Sequence, residues 1–188
     1  MKRPLIPALL LVLTACRPAA LPVTYHALRA QAPADPAQAR DLAVMVGPAR
    51  FPDLLDRPQV VTGDGEGRVT LSETHRWAGS LEQDFLNVLA EDLGAELGSQ
   101  RVRVAGFGAQ AAPYRVGLDV LRCQGALEGD FQLKVRWTLQ GPRGKVLAER
   151  VSVFKEKVQG GTYDALVAAH GKALGDLAAE IATELKKP

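Results

Sequence analysis

Phe131-Gln-Leu-Lys-Val-Arg-Trp-Thr-Leu-Gln140 is the stretch from which the fold can be read. Its apolar side chains, Phe131, Leu133, Val135, Trp137 and Leu139, alternate with polar ones, so an extended backbone places all of them on one face. Such a strand is covered on that face and is wet, or meets a partner, on the other. Gly141-Pro-Arg-Gly144 then turns the chain, and the run Val146 to Lys155 predicts an antiparallel neighbour. On the other side, Tyr114 to Cys123 predicts a further strand and Arg101 to Ala105 a shorter one.

Farther out the period changes. Leu81, Phe85, Val88, Leu89, Leu93 and Leu97 recur at helical spacing between Ser80 and Gly98, which predicts a helix over about 80–98. Ser80 and Gln83 have the spacing of a capping box. A second helix begins after Gly160-Gly161 with Thr162 as cap, and Tyr163, Leu166, Val167, Leu174, Leu177, Ile181 and Leu185 form its stripe. Gln59 to Thr62 and Arg68 to Ser72 flank Gly63-Asp-Gly-Glu-Gly67 as a hairpin. Leu42 to Val46 reads as a buried strand stopped by Gly47-Pro48, and a short strand lies around Thr24 to Leu28. Phe51 to Pro58 reads as a turn or a single helical turn, and Arg29 to Arg40 as a surface loop. The fold class is therefore α+β, with a mostly antiparallel or mixed β-sheet and two amphipathic helices packed on one face.

The N-terminus has a different character. Residues 1–15 combine Lys2 and Arg3 with a short apolar run, which is a signal peptide and too short to span a bilayer. Leu13-Thr14-Ala15-Cys16 resembles a lipobox, so residues 16–23 are expected to be a lipidated terminus and short linker before one domain, 24–188. Under the sorting rule of the enterobacterial lipoproteins whose lipobox this resembles, Arg17 after the Cys implies export to the outer membrane. Cleavage removes Lys2 and Arg3 and no acidic residue, so the 23 basic side chains of the 188-residue chain fall to 21, equal to the acidic count. The formal +2 belongs to the leader, and no basic surface for nucleic acid is expected.

Little else carries chemistry. There is no His-Glu-x-x-His, Gly-x-Ser-x-Gly or phosphate-binding glycine loop, and no metal or free cofactor is expected. His170 lies beside the stripe of the last helix and reads as a packing residue, while His26 and His75 have no ligand-spaced partner in sequence. With Cys16 lipidated, Cys123 is left as a lone thiol behaving as a small hydrophobe.

Several strings, in order, carry a family resemblance: Tyr25-His-Ala-Leu28, Val46-Gly-Pro48, Pro52-x-Leu-Leu-Asp-Arg-Pro58, Gln59-Val-Val-Thr62, Ser72-Glu73, Arg76-Trp77 and Leu177-x-x-Glu-Ile-Ala182. Together they resemble the PqiC family, also called ABC-type transport auxiliary lipoproteins. Cys123 stands where Phe is expected after Arg122, and Leu54 where an aromatic residue is usual. The resemblance implies a non-enzymatic, lipid-anchored protein on the periplasmic face of the outer membrane. It implies a homo-oligomeric ring that docks an MCE-domain tunnel protein in intermembrane phospholipid transport and supports envelope integrity. Val46, Gly47, Pro48, Leu55, Asp56, Arg57, Pro58, Arg76 and Trp77 are the expected subunit or partner contacts. The rival readings are an auxiliary lipoprotein of another ABC exporter or envelope complex, and a small lipid carrier.

Overall fold

The computed structural model describes residues 21–31, 42–106 and 111–187. Along the chain lie β1 (Thr24–His26), β2 (Val44–Arg50), β3 (Gln59–Gly63), β4 (Val69–Trp77), α1 (Leu81–Leu97), β5 (Val102–Val104), β6 (Tyr114–Gly125), β7 (Asp130–Gln140), β8 (Val146–Lys157) and α2 (Tyr163–Leu185). The alternating stretch is β7, flanked by β6 and β8 in antiparallel register. The sheet continues as β5-β2-β6-β7-β8, with β2 parallel to both β5 and β6. Phe131, Leu133, Val135, Trp137 and Leu139 are buried on the face that α2 covers, as their period requires. The α+β expectation is met, but a second, three-stranded sheet, β1-β4-β3, joins the same core. Its β1 pairs parallel with β4, so Thr24 faces His75, Tyr25 faces Arg76 and His26 faces Trp77.

Both helix starts are capped. Ser80 Oγ accepts from the Gln83 backbone N–H at 3.4 Å, and Thr162 Oγ1 accepts from that of Ala165 at 3.1 Å. The Gln83 side chain donates instead to Asn87 Oδ1 at 3.0 Å, so only half of the expected capping box forms. Gly98 closes α1 in the left-handed conformation at φ 60°. The second helix is held on the sheet by polar contacts at the edge of its apolar stripe. The fully buried Trp137 donates its indole N–H to Ser152 Oγ at 3.1 Å, and that hydroxyl donates to Glu180 Oε1 at 2.8 Å. Arg150 pairs with Glu184, and Lys172 with Glu156, along the same seam.

The imidazole of His170 lies in the core between the sheets. Its ring centroid is 5.4 Å from that of Trp77 on β4 and 4.0 Å from that of Phe131 on β7. Nδ1 lies 2.8 Å from the Leu166 carbonyl oxygen, which fixes the donor role and hence the tautomer. The packing role read from the sequence is therefore correct, and burial holds the imidazole pKa down at about 4. Cys123 is likewise buried and free, its thiol pushed up to about 12 by desolvation.

Two expected strand ends fall short: β4 continues past Ser72 to Trp77, and β2 past Val46. The Gly47-Pro48 pair does not stop β2: the strand runs on to Arg50. Val46 is opposite Val116 and Ala49 is opposite Leu118, so β2 carries one extra residue as a bulge. Proline has no N–H to give to the ladder, and Gly47 takes φ +106° to turn the chain past it. A Cβ there meets only ordinary contacts with Ala105 and Leu86, so the backbone conformation, not space, requires glycine.

Two outcomes are expected. Gly47→Ala forces a side chain into that positive-φ region and should lower stability by about 1–3 kcal/mol in urea denaturation. For His170, the folded pKa lies below the unfolded value, so the unfolded chain binds the proton more tightly. Its contribution is therefore intact above about pH 6.5 and falls by roughly 3 kcal/mol as pH drops to about 4. His170→Leu keeps the volume and leaves Leu166 C=O in its helical bond, so it should flatten this limb of a pH–stability curve. A limb unchanged in the variant would refute the assignment.

Candidate functional site

The bulge sends the chain from β2 out to Phe51, whose ring meets that of Phe85 of α1 edge-on at 5.1 Å between centroids. Pro52 starts a single 3-10 turn, Asp53–Leu55, closed by Leu55 N–H to Pro52 C=O at 2.9 Å. Leu55 is thereby buried. Arg57 N–H then bonds Leu55 C=O at 2.9 Å, and Pro58 C=O accepts from Trp77 N–H at 2.7 Å, tying this turn to β4.

Two concavities meet at Phe51 and Glu82. The larger, about 600 Å³, has Pro48 and Phe51 on one wall and Asp119, Arg136 and Thr138 of the sheet on its floor. The smaller, about 250 Å³, is lined by Phe51, Leu55 to Pro58 and the start of α1. Arg136 Nη1 and Asp119 Oδ2 pair at 3.2 Å across the outer face of the sheet. Together they form an open groove with one aromatic wall and charged groups of both signs, a shape suited to an extended or protruding protein segment rather than an enclosed small molecule.

The expected contact residues divide by burial. Pro48, Asp56 and Pro58 are exposed at this groove, and Arg57 and Arg76 are half-buried. Gly47 is buried and shapes the bulge, while Val46, Leu55 and Trp77 have their side chains in the core. Register places Arg76 opposite both Tyr25 and Gln59, on the face of β4 away from the Trp77 ring. The Nε atoms of Arg57 and Arg76 are buried without a hydrogen-bond partner among the described residues. Cys16 and the leader lie outside the described residues. Sequence reasoning passed over Phe51, Glu82 and the Asp119–Arg136 pair. Arg136 was visible as a polar member of the alternation, but which floor it lay on was not.

It also passed over a meeting of histidines. His26 Nε2 and His75 Nδ1 are 2.9 Å apart, and His26 Nδ1 is 3.3 Å from Asp164 Oδ1. Tyr163 stacks on His75 at 4.0 Å. With both rings neutral, His26 donates through Nδ1 to Asp164 and accepts at Nε2 from His75. Desolvation lowers the His26 pKa; Asp164 opposes that shift and His75 adds to it. Both His26 nitrogens are thus occupied. Among the described residues no group of three or more His, Cys, Asp or Glu is arranged to hold a metal ion.

Comparison with solved structures places the fold. One match is a crystal structure of an uncharacterised protein, at TM-score 0.70 and 24% identity over 88% of this chain and 100% of that one. A second is protein XCC0632 from Xanthomonas campestris, at TM-score 0.66 and 14% identity over 84% of this chain and 92% of that one. A weaker overlap, TM-score 0.46 at 17% identity over 79% and 91% of the two chains, is with a PelC dodecamer from Paraburkholderia phytofirmans. No curated protein sequence matches. A family model described as ABC-type transport auxiliary lipoprotein component matches residues 26–182, from the strand that holds His26 to the last turns of α2. The chain belongs to that family of auxiliary lipoproteins of ABC-type transport.

Proposed function

We propose that this protein is the outer-membrane docking component of an MCE-type phospholipid transport system, anchored by lipid on Cys16 and working as a homo-oligomeric ring in the periplasm. The observation that carries the reading is one chain joining a lipobox-like Leu13–Cys16 directly to an auxiliary lipoprotein domain. Only seven residues, Arg17 to Val23, separate Cys16 from β1, a reach of at most about 25 Å. The domain thus works close beneath the membrane. Two or more acyl chains give stable anchoring, so the lipid alone suffices to hold it there.

The role is non-enzymatic. The groove around Phe51 offers the tunnel tip an aromatic anchor flanked by charges, the combination that concentrates binding energy at protein interfaces. Pro48, Asp56, Arg57 and Pro58 are its contact residues in this reading, and Gly47 and Leu55 hold them in place. Against a lipid carrier stands the filling of the core: the largest side chains between helices and sheet are fully buried against one another, and the concavities here are open and polar-walled.

A photo-crosslinking amino acid at Pro48 or Asp56, in cells grown with the native partners, should capture an MCE-domain protein. Arg57→Glu should reduce the yield severalfold while the protein remains folded and membrane-bound. Adducts solely with another exporter or envelope protein would overturn the reading. Cys16→Ala should move the protein from the membrane to the soluble fraction.

A further inference from the structure

We infer that Leu21, Val23, Tyr25 and Arg76 form a patch that rests on the phospholipid surface, so that the domain is oriented on the membrane as well as tethered to it. The inference rests on the proposed anchoring at Cys16. Leu21, Val23 and Tyr25 are 72%, 39% and 62% exposed, a run of apolar side chains at alternate positions at the start of the domain. In β1 the burial of His26 turns Tyr25 to the opposite face, away from the core. Parallel register then sets Arg76 beside Tyr25 on that face.

Tether length identifies the occupant. Leu21 follows Cys16 by five residues, so with lipid on that sulfur it lies within about 18 Å of the membrane surface whatever path the linker takes. Three apolar side chains held there are at high local concentration relative to the bilayer, and even a weak intrinsic affinity is realised. The residue types also fit. Tyr favours the boundary where its ring is apolar and its hydroxyl wet, and Arg presents a fork to phosphate while its stem covers apolar surface. Arg76 is half-buried with its Nε enclosed, so it is the terminal nitrogens of the guanidinium that would meet a phosphate. The occupant is therefore a phospholipid surface, with apolar contacts supplied by the acyl boundary and the phosphate contact by Arg76. On this footing the β1 edge of the small sheet lies against the membrane. The groove around Phe51 is then held at a fixed height and angle rather than swinging on its linker.

The test uses the mature chain carrying Val23→Cys, labelled with an environment-sensitive fluorophore. Cys123 is buried with its thiol pushed up to about 12, so it does not compete for the label. The lipidated protein is placed in vesicles of phosphatidylethanolamine with a minority of phosphatidylglycerol, and the mass of its N-terminal peptide is read separately. The expected result is a blue-shifted probe quenched by lipids spin-labelled near the headgroup, with a probe at Glu66→Cys on the β3–β4 loop unaffected. In a non-lipidated Cys16→Ala chain, replacing Leu21, Val23 and Tyr25 together by Ser should weaken vesicle binding about tenfold, and Arg76→Gln roughly fivefold. Circular dichroism of each variant checks that these losses are not unfolding. A lipidated, vesicle-bound protein whose position 23 stays unquenched overturns the inference. So does a blue shift that appears without vesicles and grows with protein concentration, which assigns the patch to a second copy. An N-terminal peptide without lipid, with position 23 still quenched, supports the patch and overturns only the anchoring at Cys16.

Discussion

One imidazole sits where the two sheets meet in a common core. His170 projects from α2 into the space between Trp77 of the small sheet and Phe131 of the large one, and its Nδ1 proton is used locally on Leu166. Without that local partner, a polar ring at this depth is costly. With it, the ring serves as a flat apolar wedge matched to two aromatic faces. Protonation is the change this arrangement resists, since among the described residues no carboxylate faces the ring to offset the desolvation of a charge there. A neutral ring therefore stabilises this junction between the sheets.

The groove arises from a second constraint, in the backbone. Proline at position 48 interrupts the donor pattern of β2, and Gly47 takes up the extra residue at a positive φ. The strand bends without ending, which delivers Phe51 onto Phe85 at the start of α1 and leaves space over the Asp119–Arg136 pair. Leu55 then plugs the turn into the core, and Pro58 hands its carbonyl to Trp77. Buried members of the Val46–Pro48 and Leu55–Pro58 strings thus set where their exposed neighbours lie.

The strands around β7 and both helices were legible because each is a local pattern: period two in Phe131 to Gln140, helical spacing with capping residues at Ser80 and Thr162. The second sheet was not legible. It depends on β1 pairing in parallel with β4 some fifty residues later, and three residues of strand carry no signal of their partner. Gly47-Pro48 misled for a related reason: the pair is a turn signal locally, and only the pairing of Ala49 and Arg50 with Leu118 and Asp119 of β6 keeps the strand going past it. His26, His75 and Asp164 look unrelated along the chain because no spacing rule joins residues brought together by three different elements. The groove residues that the family resemblance singled out lie near one another, but which of them face solvent required the fold.

Carboxylates on both helices explain how the N-terminal segment is fastened. Asp84 of α1 accepts from the Leu28 N–H at 3.0 Å, Asp92 of α1 from the Gln31 N–H at 2.7 Å, and Asp164 of α2 faces His26 Nδ1. The segment then crosses α2 at Gly171, where an added Cβ would sit 2.9 Å from the Arg29 carbonyl oxygen, so only glycine lets the backbones approach this closely. Read as sequence, Asp92 is an acidic residue inside an apolar stretch with no evident purpose. In the fold it is fully buried and satisfies a backbone donor of a segment that has left its strand. Leu28 and Gln31 thus each give their N–H to a different turn of α1. A pull on the terminus just upstream of β1 is therefore distributed into α1, α2 and, through His75, β4. Under the proposed anchoring at Cys16 that load enters at these residues, and Asp84, Asp92 and Asp164 are the side chains that pass it to the helices.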